Sequence, residues 1–103
     1  MHPSLTMKLP ELREICIRRA VRRLDIFGSA ARDDFEPARS DLDLLVEFTP
    51  MSAHDHKEAY FGLLEDLRAL FGDRIDLAEL EGVRNPIIRA EIERSRTPLY
   101  AAA

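Results

Sequence analysis

Two aspartates separated by one leucine, Asp41-Leu42-Asp43, open the apolar run that ends at Phe48, and Gly28-Ser29 closes the apolar run Leu24 to Phe27. On an extended strand residues i and i+2 leave the same face, so the Asp41 and Asp43 carboxylates stand close enough to share a ligand. Two carboxylates so placed repel unless something positive lies between them. Mg²⁺ suits the position, because it is a hard cation that takes one or two carboxylates together with substrate phosphate oxygens. Asp76, in Arg74-Ile75-Asp76-Leu77-Ala78, could add a third carboxylate if its strand neighbours Asp41 to Phe48, making a site for two ions roughly 3.5 to 4 Å apart. Gly28 and Ser29 offer the complementary half: close backbone approach at the glycine, then an N–H and a hydroxyl able to hold phosphate oxygens at the mouth of a short helix. Each piece alone is ordinary. Asp-x-Asp arises by chance, and Gly-Ser more often marks a plain turn. The combination, with a loop of eleven residues between the two motifs and apolar strands on both sides, points to phosphate as the substrate group.

The elements that must hold these residues can be read from hydrophobic spacing. Leu9-Pro10-Glu11 opens a helix with Leu12, Ile15, Cys16 and Ala20 near helical spacing, ending by about Arg19 to Arg23. Leu24 to Phe27 reads as a first strand, Ala30 to Arg32 as a turn of helix, and Asp33 to Ser40 as a polar loop with Pro37 inside it. Asp41 to Phe48 is apolar enough for a buried strand. Tyr60, Phe61, Leu63, Leu64, Leu67, Leu70 and Phe71 form the stripe of a helix over Lys57 to Phe71, with Gly72 where a C-cap belongs. Arg74 to Leu80 reads as a third strand, Asn85-Pro86 starts a last helix carrying Ile87, Ile88 and Ile92, and Thr97 to Tyr100 suits a short edge strand. The order predicts an α/β fold: one mixed sheet of three or four strands flanked by helices. Residues 1–8 read as a flexible N-terminal leader and 9–101 as the folded domain.

Composition narrows the function classes. A chain of 103 residues fits one domain, and 46% hydrophobic with 33% charged residues is a soluble composition. No apolar run approaches the ~20 residues of a membrane span, and the start lacks a basic segment followed by an apolar stretch, so a cytoplasmic protein with no membrane partner is expected. The net charge of −4 argues against stable nucleic-acid binding, which needs many cationic contacts to phosphate. Arg13, Arg18, Arg19, Arg22 and Arg23 do cluster; they could meet an acidic partner, a nucleotide tail or water, and a solvated face is the commonest fate of such a run. Cys16 reads as a small core residue among Ile15, Ile17 and Ala20. His54, Asp55 and His56 read as a polar loop entering a helix, since adjacent residues rarely converge on one metal ion. Asp25 reads as a solvated or structural carboxylate.

Phe27-Gly28-Ser29 followed by Ser40-Asp41-Leu42-Asp43-Leu44-Leu45-Val46 resembles the signature of the minimal nucleotidyltransferases of the DNA polymerase beta superfamily. Ile75-Asp76-Leu77 after Phe71-Gly72, and Ile88 through Pro98-Leu99-Tyr100, extend the resemblance over Leu9 to Ala101. It implies a small nucleotidyltransferase fold, ATP as substrate and two Mg²⁺ ions, and often a HEPN-domain ribonuclease toxin as partner, to which such antitoxins transfer AMP. It further implies that Gly28 and Ser29 grip the terminal phosphates, that Asp41 and Asp43 ligate both ions, and that Asp76 ligates the catalytic one and helps deprotonate the incoming hydroxyl. Arg32 resembles a basic position that meets phosphate, with a surface ion pair to Asp33 or Asp34 as the alternative. Relatives often carry glycine where this chain has Asp33. That departure keeps open a second reading, a module with weak catalysis that neutralises the toxin by contact alone.

Overall fold

Helix boundaries follow the capping chemistry of the chain. The computed structural model describes residues 2–31, 36 and 40–102. Helix α2, Leu9–Arg18, carries Pro10 in its first turn and buries Leu12, Ile15 and Cys16. Helix α3 spans Ala53–Phe71, and its N-cap is Ser52, whose Oγ accepts from the Asp55 N–H at 3.1 Å. That cap draws His54, Asp55 and His56 into the first turn of the helix, four residues earlier than the apolar stripe suggests. Gly72, with φ of 97°, ends the helix as expected. Helix α4, Pro86–Ser95, starts where Asn85 Oδ1 accepts from the Ile87 N–H at 2.9 Å.

The strands are β1 (Val21–Phe27), β2 (Leu42–Phe48), β3 (Ile75–Ala78) and β4 (Thr97–Ala101), in the sheet order β3-β2-β1-β4. β2 pairs parallel with β3, β1 pairs antiparallel with both β2 and β4, so the sheet is mixed and four-stranded. β1 begins three residues before the apolar run does. Ala20 turns the chain at φ of 57°, and its carbonyl is held there by the Thr49 N–H at 3.0 Å and the Thr49 hydroxyl at 3.2 Å. A left-handed alanine costs about 1–2 kcal/mol, which two such hydrogen bonds can offset. The strand can then absorb Arg22 and Arg23, because Glu47 on β2 and Asp25 within β1 accept from them at 3.5 and 2.9 Å.

The two sheet faces differ. Leu24 and Ile26 stand opposite Val46 and Leu44, and with Leu42 and Leu77 they pack against Leu12, Ile15 and Cys16 of α2 and Leu63 and Leu67 of α3. The other face carries Asp43, Leu45, Asp25 and Asp76; Leu45 and Ile92 are buried apart from the main core. The expected loose leader instead holds a short helix α1, Pro3–Thr6, whose Leu5 is 2% exposed and joins the core. Burying one leucine contributes roughly 1.5–3 kcal/mol, enough to hold one turn against the domain. Among the described residues no helix is long and apolar enough to cross a membrane.

Candidate active site

The site is built where β1 ends and where β2 and β3 begin. Phe27, the last residue of β1, stands opposite Asp43, and Asp43 stands opposite Asp76. Directly paired residues on adjacent strands share a face and lie about 5 Å apart along the sheet, so the register alone makes Asp43 and Asp76 neighbours. The Leu42 N–H, donating to Arg74 O at 2.8 Å, locks that register at the strand starts. Asp41 precedes β2 by one residue and is exposed, as is Asp76, whereas Asp43 is half-buried.

Gly28 begins a 3₁₀ turn, Gly28–Ala31, anchored by the buried Ala30. Its φ is +65°, and a Cβ placed there would lie 2.4 Å from Asp43 Oδ2. The turn therefore closes against the carboxylate, and only a residue without a side chain fits. Ser29, half-buried, follows at once. The structure thus brings Gly28, Asp43 and Asp76 together, with Ser29 and Asp41 adjoining by sequence. Arg32 and Asp33 lie outside the described residues.

Among the described residues no three acidic, histidine or cysteine side chains converge tightly enough to form a finished metal cage. The arrangement is an open platform of hard oxygen donors beside a backbone turn. That donor set fits Mg²⁺, which leaves most of its coordination to phosphate and water. A concavity of about 480 Å³ lies at the far end of β2, lined in part by Leu45, Glu47, His56, Glu79, Arg89 and Arg96. Its lining includes neither Asp43 nor Asp76.

The remaining charged residues resolve into structural roles. Arg18 and Arg19 both donate to Asp66, at 3.1 and 2.7 Å, so much of the expected basic face is ion-paired. Asp25 is wholly buried and structural: Arg23 Nε donates to Oδ1 at 2.9 Å and Arg96 Nε to Oδ2 at 2.5 Å. Burial pushes the Cys16 thiol up to about 12, as suits an inert core residue. The contacts of Tyr60 with β3 and of His56 with Glu79 just past it have no motif to mark them; the apolar stripe accounts for Tyr60 as core alone.

This fold and this site define a nucleotidyltransferase. The sequence profile of the nucleotidyltransferase domain family matches residues 9–99, and the chain belongs to that family. Two chains from Methanocaldococcus jannaschii, each provisionally named a protein adenylyltransferase, are 33% identical over 73 residues (71% of both chains) and 39% identical over 75 residues (71% of this chain, 70% of the relative). A solved structure provisionally described as a minimal nucleotidyltransferase is 30% identical, covers 91% of each chain and superposes with a TM-score of 0.66. An MNT antitoxin solved in complex with the tri-AMPylated HEPN toxin of Shewanella oneidensis shares the fold, with a TM-score of 0.61 at 13% identity over 95% of this chain and 73% of that one.

Proposed function

We propose that this chain is the antitoxin of a HEPN/MNT pair and that it transfers AMP from ATP to a hydroxyl group of a HEPN ribonuclease. The observation that carries this reading is the Asp43–Asp76 juxtaposition, closed on one side by the Gly28 turn. Asp41 and Asp43 would hold two Mg²⁺ ions and Asp76 one of them, and the bound metal would neutralise charge that develops on the α-phosphate. The Gly28–Ser29 backbone and the Ser29 hydroxyl hold the terminal phosphates in line behind the α-phosphorus. The acceptor oxygen forms the new bond to that phosphorus, the bond to the bridging oxygen breaks, and pyrophosphate leaves. The acceptor's proton passes to a carboxylate oxygen of Asp76. The open platform supplies no wall to position a small acceptor, which favours a protein that brings its own hydroxyl to the face. The names of the relatives, and the AMPylated partner of the antitoxin with the same fold, support this choice of nucleotide and acceptor.

The test mixes purified chain, a HEPN-type ribonuclease as the proposed partner, ATP and Mg²⁺, and follows intact mass and ribonuclease activity together. The partner should gain about 329 Da for each AMP, and its activity should fall with the gain. Asp76→Asn should bind the partner without changing its mass. Silencing of the toxin by that variant, or by wild type without ATP, to the same extent as the full mixture would refute transfer and leave capping by contact.

A further inference from the structure

Asp76 stands on the least supported strand of the sheet. β3 has four residues and lies at an edge, paired among the described residues with β2 alone. Its register turns the backbone groups of Asp76 and Ala78 toward β2 and those of Leu77 outward. A short edge strand with an unsatisfied outer row is prone to fray or shift. Here α3 catches that row. Tyr60 Oη donates to Leu77 O at 2.6 Å, and one helical turn earlier His56 Nε2 donates to Glu79 Oε1 at 2.5 Å, immediately past the strand. The His56 ring is steadied by an edge-on contact with Phe48, centroids 5.4 Å apart. Burial, and then the charges of Glu79 and Asp76, push the Tyr60 hydroxyl up, so it stays protonated and keeps donating.

We infer that Tyr60 and His56 are positioning residues for the transfer: by gripping the outer edge of β3 they hold Asp76 opposite Asp43. The inference rests on the carboxylate site proposed above. Neither residue touches the reacting atoms, and both act on strand register. Their grip also covers an outward carbonyl that could otherwise pair with another chain.

Tyr60→Phe removes the hydroxyl and little else. Hydrogen exchange at the Asp76 and Ala78 amides should quicken about 2- to 10-fold, the range expected for one lost hydrogen bond, while the Leu24 and Ile26 amides of β1 keep wild-type rates. Affinity for Mn²⁺ alone, read from the electron paramagnetic resonance signal of the free ion, should fall several-fold. In the transfer assay kcat should drop with KM for ATP held. His56→Ala should behave like Tyr60→Phe, and His56→Gln, which keeps an N–H donor, should recover both exchange and Mn²⁺ binding. Exchange that quickens over the whole sheet, or Mn²⁺ affinity in Tyr60→Phe equal to wild type, overturns the positioning role. A wild type that binds no Mn²⁺ overturns the carboxylate site itself and the positioning role with it, so metal binding by wild type separates the two failures.

Discussion

Replacing Gly28 with alanine perturbs the turn and the carboxylate beside it in one step. Two penalties act, since Gly28 has φ of +65° and the new Cβ would lie 2.4 Å from Asp43 Oδ2. Left-handed backbone costs an alanine about 1–2 kcal/mol. Driving the Asp43 side chain off its rotamer adds about 0.5–1.5 kcal/mol. Alanine also restricts the unfolded chain, which returns roughly 0.4–1 kcal/mol, so the net loss should be about 1–3 kcal/mol. Two other glycines separate the contributions. Gly72 has φ of +97° with nothing within 4 Å, and Gly82 has open space without positive φ. Gly72, with ψ of −179° as well, sits in a region essentially closed to side chains, so Gly72→Ala reports backbone strain alone, about 1–3 kcal/mol before the unfolded-chain term, and Gly82→Ala serves as the control. Urea denaturation should place the losses at Gly28 and at Gly72 both above that at Gly82. Transfer of α-labelled AMP should fall on the order of 10²-fold in Gly28→Ala through the displaced carboxylate, and little in Gly72→Ala. Equal transfer in the Gly28 and Gly72 variants would refute the contact between turn and carboxylate.

Other expectations follow from the same geometry. Asp41→Asn with Asp43→Asn should abolish transfer, and residual transfer would refute these carboxylates as the proposed metal-holding pair. Asp25→Ala leaves two guanidinium groups without their shared, fully buried carboxylate and should lose about 3–5 kcal/mol by urea denaturation, with a loss under about 1 kcal/mol counting against its structural role. The Arg19 hydrogen bond to Asp66, and then Arg18, hold the Asp66 carboxyl below its ordinary range. A lowered value stabilises the fold above the unfolded-state pKa of about 3.9 and loses that contribution as pH falls through the folded value. The stability gap between wild type and Arg19→Gln should accordingly hold steady from about pH 7 to 5 and close below about pH 4; a gap that widens in acid would reverse the sign of the coupling.

Local chemistry was legible wherever neighbouring residues decide the outcome. Gly72 and Asn85-Pro86 mark helix ends because capping needs only the adjacent backbone. Asp43 faces away from Leu42 and Leu44 because a strand alternates with period two, and Gly28 marks a turn because glycine takes a positive φ most easily. Residues whose state depends on distant partners were not legible. Arg22 and Arg23 look like the tail of a helix, yet they extend β1, since Glu47 and Asp25 balance their charge across and along the sheet. Leu5 looks like part of a loose leader until the sheet and helices supply an apolar surface for it. Asp25 could be solvated or structural from its alternation alone; Arg96, 71 residues further on, settles that it is buried. The approach of Asp76 to Asp43 depends on a parallel register between strands separated by a 19-residue helix, and no local signal encodes it. The sequence by itself determined which side chains could do the chemistry. Only the tertiary structure decided which stand together, because register and burial are set by cross-strand pairing and by partners far along the chain.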